Sequence, residues 1–272
     1  MKLETTKIHL IMKTKRNLIT AMVLMLWIAP GMLNAQDLTG KEIMEKVYYR
    51  DEGDDRKGNL TMTLVNSRGD QRVRELRQFF KDYGDSEKKI MFFLSPADVR
   101  NTSFMNWSYD DESKDDDQWI YLPALQKVKR ISSDSQDDYF MGSDFTYDDL
   151  GERHPNEDTH ELLRTETLNG EACYVVESTP KEDGYMYSKT VTWVIKDKWI
   201  GLKKEFYDED GDFLKTLRVK EYNQIQGFWT ILHSVMENDQ KDHKTIMEYK
   251  DVEINTGIRD AYFTERMMTR GL

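Results

Sequence analysis

From Leu60 onward the chain carries its apolar residues with a period of two, and that alternation confines it to extended strands in a sheet. Leu60, Met62 and Leu64 alternate with Thr61 and Thr63, residues 66–70 supply a turn, and 72–80 return as a second strand. Apolar strands over 90–94, 119–122 and 126–131 follow, the first stopped at Pro96 and the second at Pro123. In the C-terminal half the pattern predicts strands over 172–177, 188–195, 202–207, 213–220, 229–237 and 244–253. Asp197-Lys198, Asp210-Gly211 and residues 240–242 fall between them as turns. Ten or eleven strands in meandering order make a mostly β protein, one antiparallel sheet with a few helices.

Helical signals are few. Thr39 and Glu42 form a capping box, and Ile43, Met44, Val47 and Tyr48 then recur at helical spacing. The acidic stretch 134–163 is the second region assigned to helix. A curved sheet of this size must close on itself or have its concave face covered, and covering it with helices leaves an apolar hollow.

The first 35 residues have a different character. Lys13, Lys15 and Arg16 precede an uninterrupted apolar run at 18–29, broken by Pro30 and Gly31 and ending near Ala35. That order is the form of a secretory signal peptide, and the run is shorter than the about 20 residues of a membrane span. Residues 1–35 are therefore read as a signal peptide cleaved before Gln36, and 36–272 as a single domain without an integral membrane span. No cysteine follows the apolar run to take a lipid anchor, and Cys173, the only cysteine, excludes an intramolecular disulfide.

Losing the signal removes Lys2, Lys7, Lys13, Lys15 and Arg16 but only one acid, Glu4, so the formal charge of −11 becomes −15. A surface this acidic repels phosphate backbones and anionic headgroups, which argues against nucleic acid as a partner.

No constellation carries catalysis or metal binding. Asp208 to Asp212 opens like a calcium loop, but its twelfth position is Val219, and an Asp-Gly hairpin turn accounts for it. His154 and His160 lie six apart, which is not a helical zinc spacing. His233 and His243 flank a turn and could meet across it. Ser143 lacks the flanking glycines of a nucleophile elbow, Cys173 sits mid-strand among apolar residues, and the acidic run 110–117 reads as a solvated loop. The expectation is a non-enzyme with no cofactor.

Three segments carry a family resemblance: FFLSPADVRNTSF at 92–104, DQWIYLPALQKVKRI at 117–131 and FMGSDFTYDDL at 140–150. In that order they resemble the LolA-like outer-membrane lipoprotein-sorting proteins, from about Ile43 to Phe263. The resemblance implies a LolA/LolB-like incomplete antiparallel β-barrel with helices covering its concave face. It also implies a periplasmic carrier that binds lipoprotein acyl chains or another lipid-type hydrophobic cargo for transfer to the outer membrane. Members similar to this sequence are often associated with inner-membrane exporters of the RND/MMPL type, so an accessory subunit of such an exporter, without cargo of its own, is the alternative.

Cargo-lining candidates follow from the two-sided strand at 119–122. Trp119 and Tyr121 share one face, Ile120 and Leu122 the other, and both faces are apolar. One face packs on core, and the Trp119–Tyr121 face is assigned to the hollow. Leu60, Met62 and Leu64 are expected to line the same space, with Phe79, Phe93 and Val128 as further candidates.

Overall fold

The computed structural model describes residues 38–272. The signal peptide read at 1–35 falls outside them. Helix α1 (Gly40–Tyr48) is closed by the expected capping box: Thr39 Oγ1 accepts from Glu42 N at 3.2 Å, and Glu42 Oε2 accepts from Thr39 N at 2.8 Å. It lies hard against the sheet. A Cβ on Gly40 would stand 2.8 Å from the backbone of His160, so glycine lets the helix dock.

Thirteen strands follow: β1 (Asp55–Val65), β2 (Gln71–Asp82), β3 (Ser86–Ser95), β4 (Ser103–Tyr109), β5 (Asp117–Leu122), β6 (Lys127–Ile131), β7 (Asp158–Leu168), β8 (Glu171–Pro180), β9 (Lys189–Ile195), β10 (Gly201–Tyr207), β11 (Phe213–Ile225), β12 (Phe228–Asn238) and β13 (His243–Ile254). A short helix, α2 (Glu265–Arg270), ends the chain. The strands form one antiparallel sheet in the order β6-β5-β4-β3-β2-β1-β13-β12-β11-β10-β9-β8-β7. β6 and β7 stand at opposite edges and the sheet does not close. This is the open, mostly antiparallel sheet that the alternation predicts.

The two strands beyond the eleven predicted have local causes. β4 (SFMNWSY) is buried on both faces, so Asn106 and Ser108 break its alternation yet point inward onto Asp116. β7 begins inside the stretch 134–163 read as helix, because its polar residues mask the period; it is an edge strand, with much of its length open to solvent. The stretch 134–163 accordingly holds no α-helix. It contains the 3-10 turns Ser133–Ser135, Phe140–Gly142, Asp148–Leu150 and Pro155–Glu157 and then enters β7. α2, which the periodicity did not reveal, is nucleated by Thr264, whose Oγ1 accepts from Met267 N at 3.2 Å.

Because β6 and β7 are at opposite edges, the chain between them must cross the sheet, and this crossing builds the core. Phe140, Phe145 and Leu150 of the crossing segment pack on Leu60, Met62, Leu64, Leu76, Met91, Phe93 and Phe104. Irregular backbone in a core needs partners for its polar groups, and the sheet supplies them. Arg74 donates to Met141 O at 2.7 Å, Gln118 to Tyr147 O at 2.8 Å and Lys89 to Leu150 O at 3.0 Å. Lys215, fully buried, donates to Asp149 Oδ2 at 2.5 Å and to Asp144 O at 3.0 Å.

The opposite face of β2–β5 is covered by the C-terminal segment. Phe79, Ile90, Phe92 and Met105 pack against Ile258, Phe263 and Met268. Asp55 fixes that segment by accepting from the backbone N–H groups of Thr256, Gly257 and Ile258 at 2.8–3.0 Å. Burial opposes its charge, but those three donors hold its carboxyl below the ordinary value.

Candidate functional site

A cavity of about 540 Å³ lies between α1, the end of the crossing segment and the sheet, within the about 300–1,000 Å³ of small-molecule sites. Its lining is graded. Asp51, Asp54, Asp82 and Asp110 are exposed and give it an acidic rim, while Phe80, Phe145, Tyr187, Ile200, Phe206 and Met236 are buried. α1 contributes Met44, Val47 and Tyr48 as a roof, resting on Val176 and Val194 through Ile43.

The charged groups of the wall are mostly paired. Arg50 and Arg56 both bind Glu52, and Arg50 also donates to Trp229 O at 2.6 Å. Burial disfavours the Glu52 anion, but the two guanidiniums outweigh it and keep its carboxyl below the usual range. Arg153 binds Asp158 and Glu157 and stacks 3.9 Å over the Tyr185 ring. Tyr185 donates to Asp148 at 2.5 Å and Tyr187 to Asp149 at 3.0 Å.

Glu87 differs. Desolvation, reinforced by the neighbouring Glu152 charge, pushes it up to about 8. Desolvation also raises Glu152, and it lifts Asp148 to about 6. Two carboxylates facing one partly enclosed space share too little water for both to ionise freely.

Known structures with this architecture are informative. An outer membrane lipoprotein-sorting protein domain from Vibrio parahaemolyticus superposes with a TM-score of 0.80 at 35% identity, covering 85% of this chain and 98% of that one. The chain belongs to the LolA-like outer membrane lipoprotein-sorting family. A DUF1329 family protein from Desulfovibrio piger matches with a TM-score of 0.80 at 29% identity, over 84% of this chain and 97% of its own. A LolA superfamily protein from Nitrosomonas europaea shares the fold, with a TM-score of 0.65 at 21% identity over 84% and 99% of the two chains. A family model described as an uncharacterized protein matches residues 85–270. No curated protein matches the chain. Among the described residues of this LolA-like chain, no helix is long and apolar enough to cross a membrane.

The eight apolar candidates do not come together in one space. Leu60, Met62, Leu64 and Phe93 lie in the core under the crossing segment, whereas Phe79, Trp119, Tyr121 and Val128 lie in the cluster under the C-terminal segment. Register decides the division. Leu60 pairs with Leu76 and Leu76 with Phe93, while Met91 pairs with Phe104 and Phe104 with Ile120. Ile120, not Trp119, thus shares the face of Leu60, and Trp119 follows Met105, Ile90 and Phe79 on the other. None of the eight lines the 540 Å³ cavity.

The histidines and Cys173 have structural surroundings in this LolA-like fold. His233 faces Glu248 across the sheet and His243 pairs with Asn238, so these two histidines do not meet. His243 Nδ1 instead lies 2.7 Å from Asp144 Oδ2. His154 caps the turn into β7, and His160 sits between Ser178 Oγ and Pro155 O. Residues 208–212 form the β10–β11 hairpin turn, and Cys173 is buried. Sequence reasoning missed the cavity's polar wall, of which Lys204 and Lys89 left a readable trace: each sits two residues from a buried apolar residue on its own strand face, Phe206 and Met91.

The raised carboxylates predict an unusual pH profile. Glu87 binds its proton more tightly folded than unfolded, so its contribution is complete below its ordinary 4.5 and is lost as pH rises through about 8. Asp148 adds the same sign up to about 6. Melting temperature is therefore expected to fall as pH rises from about 5 to about 8.5. Glu87→Gln should flatten the upper part of that decline; an unchanged slope in the variant would refute the assignment.

Proposed function

We propose that this protein is a periplasmic carrier that holds a lipid-type hydrophobic cargo in the cavity beneath α1 for transfer toward the outer membrane. The observation that carries the reading is the cavity itself: a space of binding-site size in which buried apolar side chains meet a polar wall, roofed by an amphipathic helix and entered past an acidic rim. It occurs in a fold shared at 35% identity with a lipoprotein-sorting domain. The secretory leader read at residues 1–35 supports a periplasmic location.

Affinity in such a site comes from apolar contact. Each buried methylene contributes about 0.8 kcal/mol, so a fourteen-carbon chain offers on the order of 11 kcal/mol before ordering costs of several kcal/mol. An exposed ion pair at the rim contributes about 0–1 kcal/mol and acts on selectivity instead.

Solvent extraction and mass spectrometry of protein purified without detergent test the reading. A stoichiometric lipid or acylated peptide is the expected result. Protein that is empty, and that takes up no acyl probe when delipidated, would contradict it and favour the cargo-free exporter subunit.

A further inference from the structure

Lys204 and Thr192 are directly opposed across β9 and β10, and both line the cavity. Directly opposed residues of an antiparallel pair present their side chains to the same face. Neither has a hydrogen-bond or ion-pair partner among the described residues, and the Lys204 ammonium meets the Phe206 ring at 4.9 Å. Thr192 is 4% exposed, and its Oγ1 makes no hydrogen bond among the described residues. Lys204 makes no ion pair within 4.0 Å among them, although its charge is disfavoured by desolvation.

The carboxylates whose field reaches Lys204 are those of Asp149, Asp158 and Asp148, and each is engaged elsewhere. Asp149 accepts from Lys215, Tyr187 and Thr146 N, Asp158 from Arg153, and Asp148 from Tyr185. The other cations of the cavity wall are likewise committed: Arg50 and Arg56 to Glu52, Lys89 to Leu150 O, and Arg153 to Asp158. Lys204 and Thr192 are thus a cation and a hydroxyl donor left unsatisfied side by side in a partly dry space, an arrangement that one anionic oxygen group satisfies at once. Phe206, two residues along the same strand face, and Phe145 and Met236 continue the surface as an apolar wall.

We propose that Lys204 and Thr192 bind the anionic head group, a carboxylate or a phosphate monoester, of a single-chain amphiphile whose tail lies along Phe145, Phe206 and Met236. The inference rests on the carrier reading and specifies its cargo class. The acidic rim does not oppose it strongly, because charges at exposed positions are screened beyond about 8 Å at physiological salt.

Calorimetric titration of the delipidated protein with dodecanoate, dodecyl phosphate and dodecanol separates the possibilities. Both anions are expected to bind about tenfold or more tighter than the alcohol, as a charge-assisted hydrogen bond allows, and the tighter of the two names the head group. Lys204→Met should abolish that preference in a protein that still binds dodecanol. Thr192→Val should weaken both anions more than the alcohol, and provides the test if Lys204→Met fails to fold. Equal binding of alcohol and anions, or a preference that survives Lys204→Met, overturns the head-group assignment and leaves the carrier reading intact. Failure of all three ligands to bind overturns both.

Discussion

Lys215→Met is expected to lower the stability of the protein by about 3–5 kcal/mol, the cost of leaving one member of a buried ion pair uncompensated. Lys215 is fully buried and Asp149 nearly so, and their 2.5 Å contact joins β11 to the segment that crosses the sheet. Asp149 also accepts from Thr146 N and Tyr187, so loss of the ammonium strands a carboxylate that closes the turn at 146–149 and orients a cavity tyrosine. Tyr139, Tyr187 and Phe206 pack their rings about 5.2–5.6 Å from the Lys215 ammonium and would face the gap. Adding Asp149→Leu should recover part of the loss, because it removes the stranded charge but leaves Thr146 N and Tyr187 without their acceptor. Urea unfolding measures both; a single variant within about 1 kcal/mol of the parent would show that the pair does not hold the crossing segment.

Phe140→Ala is the second large effect, about 3–5 kcal/mol by loss of a fully buried aromatic and creation of a cavity. Its ring meets Phe93, Phe104 and Tyr147 at centroid distances of 6.0, 5.1 and 5.6 Å, so it joins β3 and β4 to the crossing segment from the centre of the main cluster. The backbone around it is committed as well: Phe140 N donates to Phe145 O at 2.7 Å, and Met141 adopts a left-handed φ of 50°. A smaller side chain leaves that tight turn with no anchor in the sheet. Chemical unfolding should show a shifted midpoint with little change in slope, while a loss under 1.5 kcal/mol would place the ring outside the structural centre.

The fold was legible in the sequence because its dominant signal is local. Alternation at Leu60–Leu64 and over 213–220 reports strands without reference to any neighbour, and the box at Thr39 and Glu42 reports the start of α1. The edge strand β7 escaped because no buried face imprints a period on it. The candidate site was less legible, because its composition depends on register. Whether Trp119 or Ile120 faces Leu60 is decided by the pairings through β2, β3 and β4, and a shift of one residue reverses every face. The cavity's polar groups come from β3, β9, β10 and residues 148–160, far apart in sequence, and their pairing states appear only once the crossing segment is in place.

The carrier account places cargo beside Trp199, which lines the cavity, and away from Trp119, which packs under the C-terminal segment. Titrating the delipidated protein with a brominated fatty acid, a contact quencher of indole fluorescence, tests this directly. The account predicts saturable quenching that Trp199→Phe abolishes and Trp119→Phe leaves in place. Quenching that survives Trp199→Phe and disappears with Trp119→Phe, or no saturable quenching at all, would contradict it.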